Sequence, residues 1–123
     1  VIKKLNKNKI RTSLFINPNL KDIKLAKKIG SRCIEIHTGI ISNKIKNKQS
    51  YVKDLENIKK CAKLGKLLGL EVHAGHGIDY KTAKILSRVK DIEEFNIGHF
   101  IIGESIFDGF KHTIKKFKRI IKS

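Results

Sequence analysis

Apolar positions along the chain come in two kinds of spacing: short unbroken runs, and stretches that recur at three- and four-residue steps. The first kind marks strands and the second amphipathic helices, and here they succeed each other four times. Ser13 to Ile16 predicts a first strand. After Asn17-Pro18-Asn19, Asn19 can cap a helix over Leu20 to Ile29, with Ile23, Ala26 and Ile29 on one face and Gly30 as its stop. Cys33 to His37 predicts the second strand. Thr38 to Lys48 reads as a loop, and a longer helix is expected from about Ser50 to Leu68, buried along Val52, Leu55, Ile58 and Ala62 and ended by Gly69. Leu70 to Ala74 reads as the third strand, Gly75-His76-Gly77 as the turn after it, and Asp79 as the cap of a short helix carrying Ala83, Leu86 and Val89. A fourth strand, Phe95 to Ile97, leads through Gly98-His99 into a last helix with Ile106, Phe110, Ile114, Phe117 and Ile121 on one stripe.

Strands alternating with helices imply an α/β fold with parallel strands joined by crossovers. Two architectures fit, a small doubly wound sheet or part of a (β/α)8 TIM barrel. A complete barrel takes about 250 residues, and four units in 123 residues amount to about half of one. Ile2 and Leu5, spaced i, i+3 in a basic stretch, read as the tail of a preceding helix. The chain contains no Met and starts at Val1, so the expectation is that upstream residues are missing. Nothing in Val1 to Arg11 resembles a secretory leader, and no apolar run approaches the roughly 18 residues of a membrane span. A soluble, cytoplasmic protein is therefore expected, without a membrane partner. Cys33 and Cys61 lack CxxC spacing, which argues against a disulfide framework or a zinc ribbon.

Charge changes this picture less than its size suggests. With 28 Lys+Arg against 11 Asp+Glu the formal net charge is +17, and a basic stripe is the footprint of phosphate-backbone binding. Yet Lys, Ile and Asn, all encoded by AT-rich codons, fill 53 of the 123 positions, and only four of the basic residues are Arg. No Lys or Arg falls in 12–20, 33–43, 67–80 or 91–110, the stretches richest in site-like residues. The basic residues read as solvated helix faces of a protein from an AT-rich genome, with no nucleic-acid partner.

The candidate chemistry sits at strand ends. In the second strand Ile34 and Ile36 alternate with Cys33, Glu35 and His37, so Glu35 and His37 share the face opposite the Ile pair. If the Ile side meets the helices, Glu35 faces a barrel interior, where a carboxylate must be paired, protonated or in use; the bland alternative is a solvated rim position. Gly75-His76-Gly77 allows close backbone approach and offers N–H groups to an anion, and Gly98-His99 repeats the arrangement one strand later. Loops after the last strands of a (β/α)8 barrel commonly hold phosphate. His37, His73, His76 and His99 near strand ends also admit a metal site, although HxH and HExxH spacings are missing. His112 reads as a solvated helix residue.

At these residues the chain resembles the pyridoxine 5′-phosphate synthase family. The matching segments are Ser13-Leu14-Phe15-Ile16-Asn17-Pro18, Ile34-Glu35-Ile36-His37-Thr38-Gly39, Leu68 to Gly77, and Phe95 to Gly103. The resemblance covers nearly the whole chain and corresponds to the C-terminal half of the family's barrel, its last four βα units. It implies condensation of 1-deoxy-D-xylulose 5-phosphate with 3-amino-2-oxopropyl phosphate by acid-base catalysis, with neither metal nor organic cofactor, in an oligomer of barrels. It further implies that His76 donates a proton, as suits an imidazole, and that Glu35 stabilises the transition state. Gly77, Gly98 and His99 would hold the phosphate of the amino ketone. The family's other acid-base His and Glu would lie outside these residues, so residues 1–123 alone are expected to be inactive, and aggregation-prone or dimerising through open sheet edges.

Three positions depart from the pattern: Asn17 where Asp is usual, His73 where Asn is common, and Glu104, read as opening the last helix, where a small or basic residue is frequent. Two rival readings remain at this point. One is another phosphate-binding barrel enzyme using His37, His76 and His99 with a metal, and the other a basic nucleic-acid-binding module.

Overall fold

A computed structural model describes residues 1–122. Its elements run α1 (Ile2–Lys7), β1 (Ser13–Ile16), α2 (Leu20–Lys28), β2 (Cys33–His37), α3 (Gly39–Lys46), α4 (Val52–Leu67), β3 (Glu71–Gly75), α5 (Tyr80–Leu86), β4 (Glu94–Asn96), α6 (His99–Asp108) and α7 (Phe110–Lys122). The four strands form one sheet in the order β1-β2-β3-β4, and every pair is parallel. The alternation of apolar runs and amphipathic stretches thus yields an α/β sheet of the expected kind. Among the described residues no helix is long and apolar enough to cross a membrane.

One face of the sheet carries the core. Ile34 and Ile36 of β2 and Val72 and Ala74 of β3 are fully buried, and Ile34, Ile36 and Val72 pack with Ile23, Ala26, Ile58, Cys61 and Ala62 from the helices. Each large aliphatic side chain so buried contributes about 1.5–3 kcal/mol. Asn19 caps α2 as expected, its side chain accepting from the Lys21 N–H at 2.9 Å, and Asp79 caps α5 by accepting from the Thr82 N–H at 2.7 Å. In α4 the buried stripe is Ile58, Cys61, Ala62 and Gly65, with i, i+3, i+4, i+7 spacing. Val52, expected in that stripe, is 63 % exposed, because the true stripe includes small residues that a search for large apolar side chains passes over. A Cβ on Gly65 would stand 2.8 Å from Val72 Cγ2 and 3.0 Å from Ile34 Cδ1, so this glycine lets α4 lie close against β2 and β3.

Several boundaries differ from expectation. Residues 38–48, read as a loop, contain α3: Ile41 is buried, and Ser42 Oγ donates to the Thr38 carbonyl at 2.8 Å. β3 and β4 are offset by one residue from Leu70 to Ala74 and Phe95 to Ile97. Leu70 nevertheless stays in the core, as does Val89, which lies beyond the end of α5. The largest correction concerns the last helix, which is two helices. Gly109, with φ +78°, breaks it between Asp108 and Phe110. The left-handed residue redirects the axis, so Ile106 and Phe110 are exposed while Thr113 and Phe117 of α7 are buried. Glu104 consequently lies in the middle of α6 instead of opening a helix. Tyr80, Phe100 and Phe117 meet with ring centres 4.6–5.9 Å apart and tie α5, α6 and α7 together beneath the turn that follows β4.

Candidate active site

The face of the sheet opposite the core displays Glu35 and His37 of β2, Glu71 and His73 of β3, and Glu94 and Asn96 of β4, as strict alternation demands. Glu35 is half-buried. Its register partner on β3 is His73, but its carboxylate extends along the strands to the level of Gly75, where a Cβ would collide with Glu35 Oε1. With no side chain in the way, Glu35 reaches over β3, and Asn96 Nδ2 of β4 donates to Glu35 Oε2 at 2.7 Å. The carboxylate predicted to need a partner therefore has one.

Above this layer the strands end in the turn containing His76. Thr38 is fully buried and holds the turn: its N–H donates to the Gly75 carbonyl at 2.9 Å, and its hydroxyl lies 2.8 Å from the carbonyls of both Gly75 and His76. His76 and Gly77 have φ of +78° and +75°. A left-handed conformation is uncommon for a residue with a Cβ, and it persists only where surrounding contacts impose it. The His76 ring stacks on His37 with centres 4.7 Å apart and planes at 28°, and Phe15 of β1 presents its edge to His37 at 5.2 Å. A Cβ on Gly39 would sit 2.7 Å from His37 Cε1 and 2.9 Å from His76 Cδ2, so the stack requires glycine there. Burial pushes the His37 imidazole below its ordinary range, the neighbouring His76 adds to that shift, and Glu35 opposes it. His37 Nδ1 is buried with no hydrogen-bond partner among the described residues.

A cavity of about 420 Å³ opens between the two glycine turns, lined by His76, Gly77, Asn96, Gly98 and His99 together with flanking apolar residues. Gly98 is the N-cap of α6 and His99 its first residue, and no side chain caps this helix. The uncapped N–H groups carry partial positive charge, which suits an anion. All five predicted site residues, Glu35, His76, Gly77, Gly98 and His99, thus lie at one end of the sheet around or beneath one cavity.

The four histidines expected near strand ends do not all meet. His37 and His76 stack and His99 lines the cavity, but His73 lies two residues back along β3, 3 % exposed, with Glu71 and Glu94 as neighbours. Among the described residues no three of these histidines converge on a point where an ion could sit. Sequence reasoning missed Asn96, Thr38 and Phe15. All three lie in segments that carry the resemblance, but only Phe15 also has a local pattern, alternating with Leu14 and Ile16 on β1.

A sequence model of the family described as "Pyridoxal phosphate biosynthesis protein PdxJ" matches residues 1–123. The chain is 62 % identical over 120 residues to the pyridoxine 5′-phosphate synthase of Pelagibacter ubique, covering 98 % of this chain and 50 % of that protein. The same-named protein of a Sulfurihydrogenibium species is 44 % identical over 121 residues, covering 98 % of this chain and 49 % of its own length. That of Zymomonas mobilis is 40 % identical over 121 residues, covering 98 % and 46 %. The chain spans about half the length of the curated relatives it matches.

Proposed function

Because the chain belongs to the PdxJ family of pyridoxal phosphate biosynthesis proteins, we propose that the whole protein is a pyridoxine 5′-phosphate synthase. It condenses 1-deoxy-D-xylulose 5-phosphate with 3-amino-2-oxopropyl phosphate, and residues 1–123 supply the last four βα units of a (β/α)8 barrel. The observation that carries this reading is the cavity between the two glycine turns, with an imidazole at its rim and a hydrogen-bonded carboxylate beneath it. An all-parallel sheet with open edges at β1 and β4 supports the half-barrel reading, since closure would pair both edges. Residues 1–123 by themselves then lack part of the catalytic set.

In this reading the amino ketone phosphate rests against Gly77, Gly98 and His99. The backbone N–H groups at the start of α6 meet its charge. His76, fixed by the Thr38 bridge and by the stack on His37, donates a proton to the departing oxygen. Glu35, aimed by Asn96, places negative charge where positive charge develops during ring closure. Holding two reactants in register against such fixed groups supplies much of the rate. The protein acts in the cytoplasm as an oligomer of barrels, without nucleic acid.

His76→Ala in the whole protein tests the assignment. Ring closure is expected to be lost while the amino ketone phosphate still binds; full activity would overturn the role given to His76.

A further inference from the structure

Below the catalytic layer, on the same inward face, Cys33, Glu71 and His73 bring a sulfur, an oxygen and a nitrogen together. Cys33 and Glu71 are register partners on β2 and β3, and His73 is the next residue of β3 on that face. Cys33 Sγ lies 3.5 Å from Glu71 Oε2, His73 Nε2 lies 3.8 Å from the same oxygen, and the three donor atoms all fall within 4.8 Å of one another. We propose that Cys33, Glu71 and His73 form a structural site for a divalent cation of the zinc type, clamping β2 to β3 at the end of the sheet away from the reaction.

Geometry and donor chemistry both favour such an ion. Zinc bonds sulfur at about 2.3 Å and nitrogen or oxygen at about 2.0–2.1 Å, and a tetrahedral arrangement of those lengths, three positions filled by these side chains and the fourth by water, spaces the donors about 3.5 Å apart. Only small side-chain motions separate the present distances from that spacing. A thiolate and an imidazole select zinc over magnesium and calcium, which take oxygen ligands. Cys33 is fully buried and His73 is 3 % exposed, so two of the three donors are already removed from water.

The surroundings match a metal site as well. The other ring nitrogen of His73, Nδ1, faces Glu94 Oε1 at 3.6 Å, the carboxylate-backed arrangement that orients ligating histidines. Arg11 Nη1 contacts Glu71 Oε2 at 2.8 Å and can keep that carboxylate as an outer partner. Once a metal displaces the thiol proton that Cys33 now donates to Glu71 Oε2, two carboxylates and a thiolate against one guanidinium leave two negative charges, which a divalent cation balances. In a chain of net charge +17 this is a locally acidic spot. The site is separate from the stacked His37 and His76, and its placement towards the N-terminal ends of the strands fits a stabilising role.

The test uses the whole protein, stripped with chelator and titrated with Co²⁺ and then Zn²⁺. One Co²⁺ per chain should bind with a near-ultraviolet thiolate-to-cobalt band and tetrahedral visible absorption, and Zn²⁺ should displace it. Cys33→Ser should abolish the thiolate band, and Glu94→Gln should weaken binding about 10- to 100-fold. His37→Ala should leave the spectrum unchanged. Absence of a thiolate band in the wild-type protein would overturn the site, whatever the folding of the variants. So would equal Zn²⁺ affinity in folded Cys33→Ser, which would leave the cluster as a closed set of ion pairs around Glu71.

Discussion

Asn96 donates a 2.7 Å hydrogen bond to Glu35 across a strand that lies between them, and the contact exists because β3 presents Gly75 at that point. Removing the donor, in Asn96→Ala, should leave Glu35 unaimed. A hydrogen bond to a charged group contributes about 1.5–3 kcal/mol, so kcat of the whole protein should fall about ten- to a hundredfold with little change in KM. Gly75→Ala should act from the other side, its methyl displacing the carboxylate, with a loss at least as large. Unchanged turnover in both variants would show that the orientation of Glu35 does not matter to the reaction.

The depressed basicity of His37 makes stability depend on pH. Its folded form resists protonation, so below its ordinary pKa of 6.5 the unfolded chain binds the proton that the folded chain refuses. Stability contributed by neutral His37 is therefore present above that value and declines as pH falls through it toward the lower folded value. The melting temperature should drop between about pH 7 and pH 5, a window in which ordinary carboxylates stay ionised. His37→Asn should flatten that slope, and an unaltered slope in the variant would assign it to another group.

Two glycines in helices should respond oppositely to alanine. Gly65→Ala forces a methyl against Val72 and Ile34, an overpacking that costs about 1–3 kcal/mol. Gly103→Ala in α6 meets nothing within 4 Å, and the gain in helix propensity should stabilise by about 0.5–1 kcal/mol. Denaturant midpoints of the two variants would check the contrast, and a shift in the same direction for both would refute it.

Periodicity locates β1 and β2 to the residue because their apolar runs give way at once to turn-forming pairs, Asn17-Pro18 and Thr38-Gly39. It failed at α3, where Gly39, Asn43 and Asn47 look like loop residues and only Ile41 and Ile45 keep helical spacing. It failed again at Gly109, because a spacing of four from Ile106 to Phe110 is blind to the sign of φ at the residue between them. The site residues that follow strands directly, His76, Gly77, Gly98 and His99, were legible as neighbours in the chain. Asn96 and Thr38 were not, since their roles depend on strands 61 and 37 residues away. His73 stands two residues before Gly75 on β3, about 6–7 Å below the turn, and strand geometry alone separates it from His76.

The strand order β1-β2-β3-β4 also fixes how the sheet can be assembled. Each strand pairs with the one made just before it, so a growing chain never has to wait for a distant partner, and each new βα unit adds to a surface already in place. The sheet can thus be laid down in the order of synthesis. β2 and β3 are each flanked on both sides, whereas β1 and β4 each keep one ladder of amides and carbonyls that no other strand of this sheet pairs. In residues 1–122 taken alone, backbone amide exchange should be slowest in β2 and β3 and faster at the two outer strands. In a closed barrel that difference should vanish.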